Sequence, residues 1–472
     1  MNMRRLFLLS LLFLLAACHG EPGWRQAVPD MIRVGELARA DSLLGTLRDG
    51  LSPQEARAAD SLREMIRRLR IEFRYTLPEI ARQVRRRISD TVSDSQIERW
   101  TEEGRLEMRT IDGEPRYFAR AAANLVRLAP ELAAWRPSDS ASQRFRAAHA
   151  GRVIRETGSF GVCASPVPVT IRYTLSVRPD AVPDGDTLRC WLPYPQQGLD
   201  RQTDVELLGC SPAQHAIAPE GTPQRSIYME QAAVRGRPAV FTATYRTTCR
   251  ARYFDPEQAA ARALPYDTAS ERYRVWTAER PPHIVFSRRL KETVREAAGS
   301  ETNPVRVAAR ICDWIEARFP WAGSIEYGVI PNIPEYVLEA GHGDCGQVSL
   351  LMIAMLRCAG IPARWESGWA LHPGEVGMHD WASVYYEGIG WVPVDMSFGT
   401  IRAGDDEAVR RFYRSGIDSY RLVVNTDYGR PLVPVKRHIR SEPVDFQRGE
   451  VETARRNLYF DEWDYAIDVS YE

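Results

Sequence analysis

Apolar residues at Leu62, Met65, Ile66, Leu69 and Phe73 recur at intervals of three and four, the stripe of an amphipathic helix. The chain from about 25 to 150 follows that helical pattern with one interruption. There, residues 106–111 and 116–118 flank Asp112-Gly113, a pair suited to the type I′ turn of a hairpin. Between about 160 and 255 the period falls to two. Val169, Ile171, Tyr173, Leu175 and Val177 alternate with Thr170, Arg172, Thr174 and Ser176, and Phe241, Ala243 and Tyr245 repeat the pattern. Turns rich in proline and glycine at 183–185 and 193–198 separate these strands, so the stretch reads as β-sandwich-like. From about 280 helix and strand patterns mix. Asn303-Pro304 opens a helix whose apolar face is Val305, Ala308, Ile311, Ile315 and Phe319. The tail has few periodic runs and is expected to wrap over the other domains. The result is an α+β chain with a helical N-terminal domain (19–155), a β-rich domain (156–275), a mixed core (276–400) and a C-terminal extension (401–472).

The first 18 residues fit none of these domains. Arg4 and Arg5 precede an apolar run over 6–15 broken by Ser10, too short to span a bilayer and ending in small residues, as in a processed export signal. Leu15-Ala16-Ala17-Cys18 resembles a bacterial lipobox, which implies lipidation at Cys18 and a membrane-anchored protein of the cell envelope, with the outer membrane or periplasmic face favoured. No later segment is apolar enough to span a bilayer. Charge adds little: 62 basic residues balance 62 acidic ones, with Lys291 and Lys436 the only lysines. No field therefore points to nucleic acid, and the arginine cluster at Arg82, Arg85, Arg86 and Arg87 reads as a solvated helix face. Export permits disulfides among Cys163, Cys190, Cys210 and Cys249, with connectivity open, while Cys312 and Cys358 sit in apolar helical patterns. There is no Cys-x-x-Cys and no cysteine–histidine cluster at zinc spacing, so neither metal nor cofactor is expected.

The chemistry concentrates between 341 and 399. Asp344 and Gln347 form a capping-box pair around Cys345, ahead of the apolar run 348–356. This places Cys345 in the first turn of a buried helix, where the macrodipole favours thiolate. A base is still needed. His379 opens an aromatic, branched strand, a turn follows at 387–390, and Asp395 ends the return strand. His379 and Asp395 are thus cross-strand neighbours within a residue or two, so Asp395 can fix the imidazole tautomer and leave the other nitrogen for the thiol. Taken singly, each residue has a structural reading; their joint order is what points to chemistry.

Gly-Asp-Cys-Gly at 343–346, Gly-Ile-Pro-Ala-Arg at 360–364, His-Asp-Trp at 379–381 and Gly-Trp-x-Pro-Val-Asp at 390–395 resemble the core of the transglutaminase-like superfamily, whose fold is related to papain. The resemblance implies a papain/transglutaminase-like catalytic core over about 280–400 with a Cys345, His379, Asp395 triad. It also implies an oxyanion hole made by the Cys345 backbone N–H and an upstream side chain. Trp321 leads for that role, followed by Trp314, Asn332 and His342. Seven of the twelve tryptophans lie between 276 and 391. Trp365, Trp369, Trp381 and Trp391 could wall a cleft for a peptide or sugar-bearing substrate, or simply fill the core. His372, read as a loop residue, is an alternative base. The implied activity is acyl transfer at a peptide or glutamine amide through a thioester, with hydrolysis of a peptide, protein or cell-wall peptide as the leading form. Protein cross-linking and a catalytically inactive envelope binding protein are the rivals.

Overall fold

The computed structural model describes residues 23–47, 51–136, 140–158 and 160–472. Cys18 and the export segment lie outside the described residues. The chain divides into two compact units, residues 1–122 and 123–472.

The first unit is built of helices. Among its described residues the longest is Pro53–Glu72, closed at its N-terminus by a capping box between Ser52 and Glu55, and its face buries Ile66, Leu69 and Phe73. Leu77–Arg87 carries the same device through Thr76 and Glu79. Strands β1 (Met108–Ile111) and β2 (Glu114–Tyr117) form the expected hairpin. Asp112 and Gly113 both take positive φ, at 51° and 84°, which the type I′ turn requires.

The described residues of the second unit form three sheets. One contains β3 (Ala164–Val177), β5 (Gln202–Ser211), β8 (Ala239–Tyr253), β12 (Gly416–Ile417) and β16 (Trp463–Tyr471) in the order β12-β8-β3-β16, with β5 also on β8. The second runs β15 (Asn457–Leu458), β14 (Glu450–Glu452), β4 (Thr187–Pro193), β7 (Ser226–Ala232), β6 (His215–Ile217). Alternation in β3 works as read: Val169, Ile171, Tyr173, Leu175 and Val177 are buried in a shared core with Trp191, Phe241, Tyr245 and Trp463. The tail contributes strands to both sheets, β16 pairing with β3 from Trp463↔Val177 to Tyr471↔Val169. The seven described cysteines are all free. Cys190 and Cys249 are buried singly in the core, and neither pairs with Cys163 or Cys210, so the disulfides that export would permit are not formed.

The third sheet carries the site. It comprises β9 (Ala363–His372), β10 (Glu375–Tyr386), β11 (Gly390–Val394) and β13 (Arg421–Asn425) in the order β11-β10-β9-β13, all antiparallel. Helix Cys345–Cys358 packs on it, buried at every position from Gly346 to Arg357. Helix Pro304–Arg318 lies alongside, with Cys312 Sγ 3.7 Å from Met352 Sδ. Trp365, Trp369 and Trp381 are fully buried, so these rings fill the core rather than wall an open cleft. Among the described residues no helix is long and apolar enough to cross a membrane.

Candidate active site

Cys345 is the first residue of its helix. The Asp344 side chain accepts from the Gln347 N–H at 3.0 Å, and Gln347 Oε1 accepts from the Asp344 N–H at 3.2 Å. This reciprocal cap fixes the approach to the helix and turns the Cys345 N–H into the orphan-donor turn. The glycine after the nucleophile is there for space. A Cβ at Gly346 would collide with the Tyr327 hydroxyl and stand 2.7 Å from Asp380 Oδ2.

On the sheet, β10 and β11 register Ala382 against Val394, which brings Asp395 diagonally within reach of His379. His379 Nε2 lies 2.7 Å from Asp395 Oδ2, both residues buried. Asp395 is saturated with donors. Its Oδ1 accepts from Ser397 N–H (3.1 Å), Ser397 Oγ–H (3.0 Å) and Phe398 N–H (3.2 Å), and its Oδ2 also accepts from Arg421 Nη2 (2.9 Å). Burial alone would raise this carboxyl, but His379 and Arg421 hold it below its usual range. For His379, burial outweighs the pull of Asp395 and lowers the imidazole below its ordinary value, with Arg421 adding to the effect. The ring is therefore neutral near pH 7. Because Nε2–H donates to Asp395, that tautomer leaves the Nδ1 lone pair to accept a proton.

Arg421 is fully buried and joins this pair to a second one. Its Nη2 is also 3.5 Å from Asp418 Oδ2, and that oxygen meets His372 Nε2 at 3.1 Å and accepts from the Tyr413 hydroxyl at 2.6 Å. The Phe398 ring packs beneath, 3.9 Å from the Arg421 guanidinium and 4.5 Å from the His379 ring. His372 is the last residue of β9, paired across the hairpin with Glu375, and not a loop residue. Pro373 follows it and cannot donate to the ladder, which ends the strand there.

The sulfur faces a different neighbourhood. Among the described residues the Cys345 thiol hydrogen-bonds to Asp380 Oδ2, at 3.4 Å, and none joins it to His379. Burial, followed by Asp380 and Asp344, pushes the thiol well above its ordinary value. The helix position was expected to favour thiolate; desolvation and the two carboxyls beside it outweigh the macrodipole.

The other predicted site residues fall as follows. Trp321 is 42% exposed with the Arg127 guanidinium 4.5 Å over its ring, and its backbone bridges to Gly343 beside the nucleophile. Trp381 donates its indole N–H to Glu366 at 2.9 Å and stacks near His379 at 6.1 Å. Trp314 donates to Glu296, and Asn332 caps the helix Ile333–Ala340. His342 is buried and pushed by burial to about 4. The geometry adds Asp380, Tyr327, Arg421 and Gln447, which the sequence reading did not single out. Asp380 stood inside the His-Asp-Trp motif; the others come from segments without a motif. Among the described residues no group of three or more His, Cys, Asp or Glu is arranged to hold a metal ion.

Residues 291–396 match the model of the transglutaminase-like superfamily. The chain thus carries a transglutaminase-like superfamily domain, which spans the Cys345 helix and strands β9 to β11. An uncharacterized protein of Haemophilus influenzae is 30% identical over 138 residues, 24% of this chain, and the chain spans only 37% of that relative's length. Two solved structures match part of the chain. A candidate cysteine protease from Cytophaga hutchinsonii is 13% identical with a TM-score of 0.46, covering 66% of this chain and 93% of its own. The periplasmic domain of TgpA from Pseudomonas aeruginosa is 15% identical with a TM-score of 0.26, covering 56% and 95%.

Proposed function

We propose that the protein is a cysteine-dependent acyl-transfer enzyme that opens a peptide or glutamine amide through a thioester on Cys345, with water as the usual acceptor. The observation that carries this reading is the buried His379–Asp395 pair at 2.7 Å, on the sheet against which the Cys345 helix packs. His379 Nδ1 takes the thiol proton, and Asp395 holds the ring and stabilises the imidazolium that results. The thiolate adds to the amide carbonyl, with the first-turn N–H groups facing the oxyanion. Collapse expels the amine, which takes the proton from the imidazolium and leaves the thioester. Water then attacks, the sulfur leaves, and the free acid is released. An amine in place of water would make the same enzyme a cross-linker. Lipidation at Cys18 would hold it in the cell envelope, a placement that metabolic labelling with a fatty acid tests, since a Cys18→Ala protein should lose the label.

One observation favours a non-catalytic binding protein instead: the sulfur is engaged by Asp380. A single experiment separates the readings. Purified protein is incubated with a glutamine-containing peptide, with and without a labelled primary amine, and products are followed by mass spectrometry. Cleavage or deamidation that disappears in Cys345→Ala supports the hydrolase. Amine incorporation without cleavage replaces it with the cross-linker, and absence of any Cys345-dependent product defeats both.

A further inference from the structure

Asp380 sits one residue beyond His379 on β10 and is almost completely buried. Three hydrogen-bonding groups converge on it. Gln447 Nε2 donates to Oδ1 at 2.7 Å and also to the His379 carbonyl at 2.9 Å, which pins the carboxyl's orientation to the strand. Oδ2 faces the Cys345 thiol at 3.4 Å and the Tyr327 hydroxyl at 3.4 Å, while that hydroxyl donates its shorter bond, 2.6 Å, to Asp344 Oδ1. The carboxyl therefore has a fixed oxygen aimed at the sulfur.

Resting on the reading of Cys345 as nucleophile, we propose that Asp380 is a positioning residue that draws the Cys345 S–H onto its own Oδ2 and holds the resting sulfur off His379. Attack on an amide then begins with the sulfur leaving Asp380. The S–H proton has to pass to His379 Nδ1, and it cannot while it lies in the bond to Oδ2.

The charges around the pair all bear on this bond. Asp344 stands at the helix N-cap, and Tyr327 comes from the short turn Tyr327–Val329, ahead of helix Ile333–Ala340. Glu442 and Asp445 face Asp380 from the tail, with Arg448 bound to Glu442 and to Glu326 at 2.7 Å. On the far side the sulfur feels Arg421, behind Asp395 and His379. Burial, then Asp445 and Asp344, push Asp380 up, while the S–H bond to Oδ2 pulls it back, and the same bond helps to keep the proton on the sulfur.

Asp380→Asn tests the latch with little change in shape. Gln447 continues to donate at the Oδ1 position, which fixes the asparagine oxygen there. The new NH2 takes the place of Oδ2 and points a donor at the sulfur, with the Tyr327 oxygen free to accept. A group that accepted the thiol proton becomes one that favours thiolate. The readout is the rate of iodoacetamide alkylation against pH, followed at the peptide that carries Cys345. In the wild type the apparent thiol pKa should lie above the ordinary value of about 8.5. In Asp380→Asn the profile should move down by about one unit or more, with alkylation at pH 7 faster by about tenfold. Superimposable profiles overturn the proposal. So does a wild-type value at or below the ordinary one, a result that needs no variant to fold. Alkylation is read without turnover, so failure of the amide assay would strike the catalytic reading and leave this result standing.

Discussion

Two buried polar clusters meet at the candidate site, and they handle the cost of burial in opposite ways. On the Asp395 side carboxylates are matched: Arg421 lies between Asp395 and Asp418, and His379 and His372 close the two ends. Burial alone would raise both carboxyls, yet Arg421 and the histidines keep Asp395 below and Asp418 well below the usual range. On the Asp380 side carboxyls face one another. Burial raises Asp380, Asp445 and Glu442 together, and Asp445 further raises Asp380 as Glu442 does Asp445, with Arg448 the guanidinium bound to Glu442. A buried charge has to be paired or neutralised. One cluster pairs; the other holds protons. The difference gives His379 a fixed anion behind it and gives the Cys345 sulfur a proton-holding group beside it.

The sharpest way to break the paired side is Asp395→Asn. The amide keeps the shape, but its NH2 group competes for the place of the His379 Nε2–H acceptor and favours the wrong tautomer. Loss of the orienting carboxylate in a nucleophile–base–carboxylate triad lowers kcat by about 10⁴-fold. Amide turnover by Asp395→Asn should fall by that order when read at a temperature where both proteins remain folded, since the change also takes a counterion from the buried Arg421. Retention of more than a tenth of the activity would remove Asp395 from the mechanism.

Next in size is the contrast between the two arginines. Arg421→Met strips the cation from two buried aspartates and should cost about 3–5 kcal/mol in urea unfolding, the usual penalty for breaking a buried pair from one side. Arg448→Met removes the partner of Glu442, which already leans towards its protonated form, and of Glu326, whose side chain keeps some contact with solvent. It should cost less, about 1–3 kcal/mol, the penalty of an unmet buried polar group. Equal losses would erase the distinction between the clusters.

Much of the paired side was legible in the sequence, and the reasons are local. The capping box around Cys345 and the turn at 387–390 are short-range signals, and together they place the helix start and the His379–Asp395 diagonal. Arg421, Gln447 and Asp418 reach the site through long-range strand pairing from the tail, and no spacing in the chain announces that. The tail itself did carry a signal that went unread: Trp463, Tyr465, Ile467 and Val469 alternate with Asp464, Ala466, Asp468 and Ser470, which is β16. Its apolar positions beyond Trp463 are only partly buried or exposed, whereas the alternate residues of β3 from Val169 to Val177 are all buried. The thiol's protonation was misjudged for a different reason. A macrodipole is a property of one helix, whereas Asp380 and the surrounding burial are properties of the packed sheet.

The smallest expected effect compares the clusters through pH. Asp380, Asp445 and Glu442 have folded values above their unfolded ones, so they lend stability that is complete below the ordinary carboxyl range and is lost as pH rises through the raised values. His149, which belongs to the paired side through Asp418, behaves in the opposite sense. Burial lowers it to about 4, and an Arg152 guanidinium nitrogen lies 2.8 Å from its Nδ1. With a folded value below its unfolded one of about 6.5, its contribution is present above pH 6.5 and is lost as pH falls towards 4, on the order of 3 kcal/mol at the limit. Part of that returns through contacts a substitute keeps, so His149→Gln should flatten the acid limb of the unfolding free energy by about 1–2 kcal/mol. Asp445→Asn should act in the opposite sense: it removes a loss of stability that begins just above the ordinary carboxyl range, so stability should fall less, or rise more, as pH increases from about 4. Urea unfolding at half-unit pH steps reads both. If the two variants change the slope of the unfolding free energy against pH in the same sense, the division between pairing and protonation does not hold.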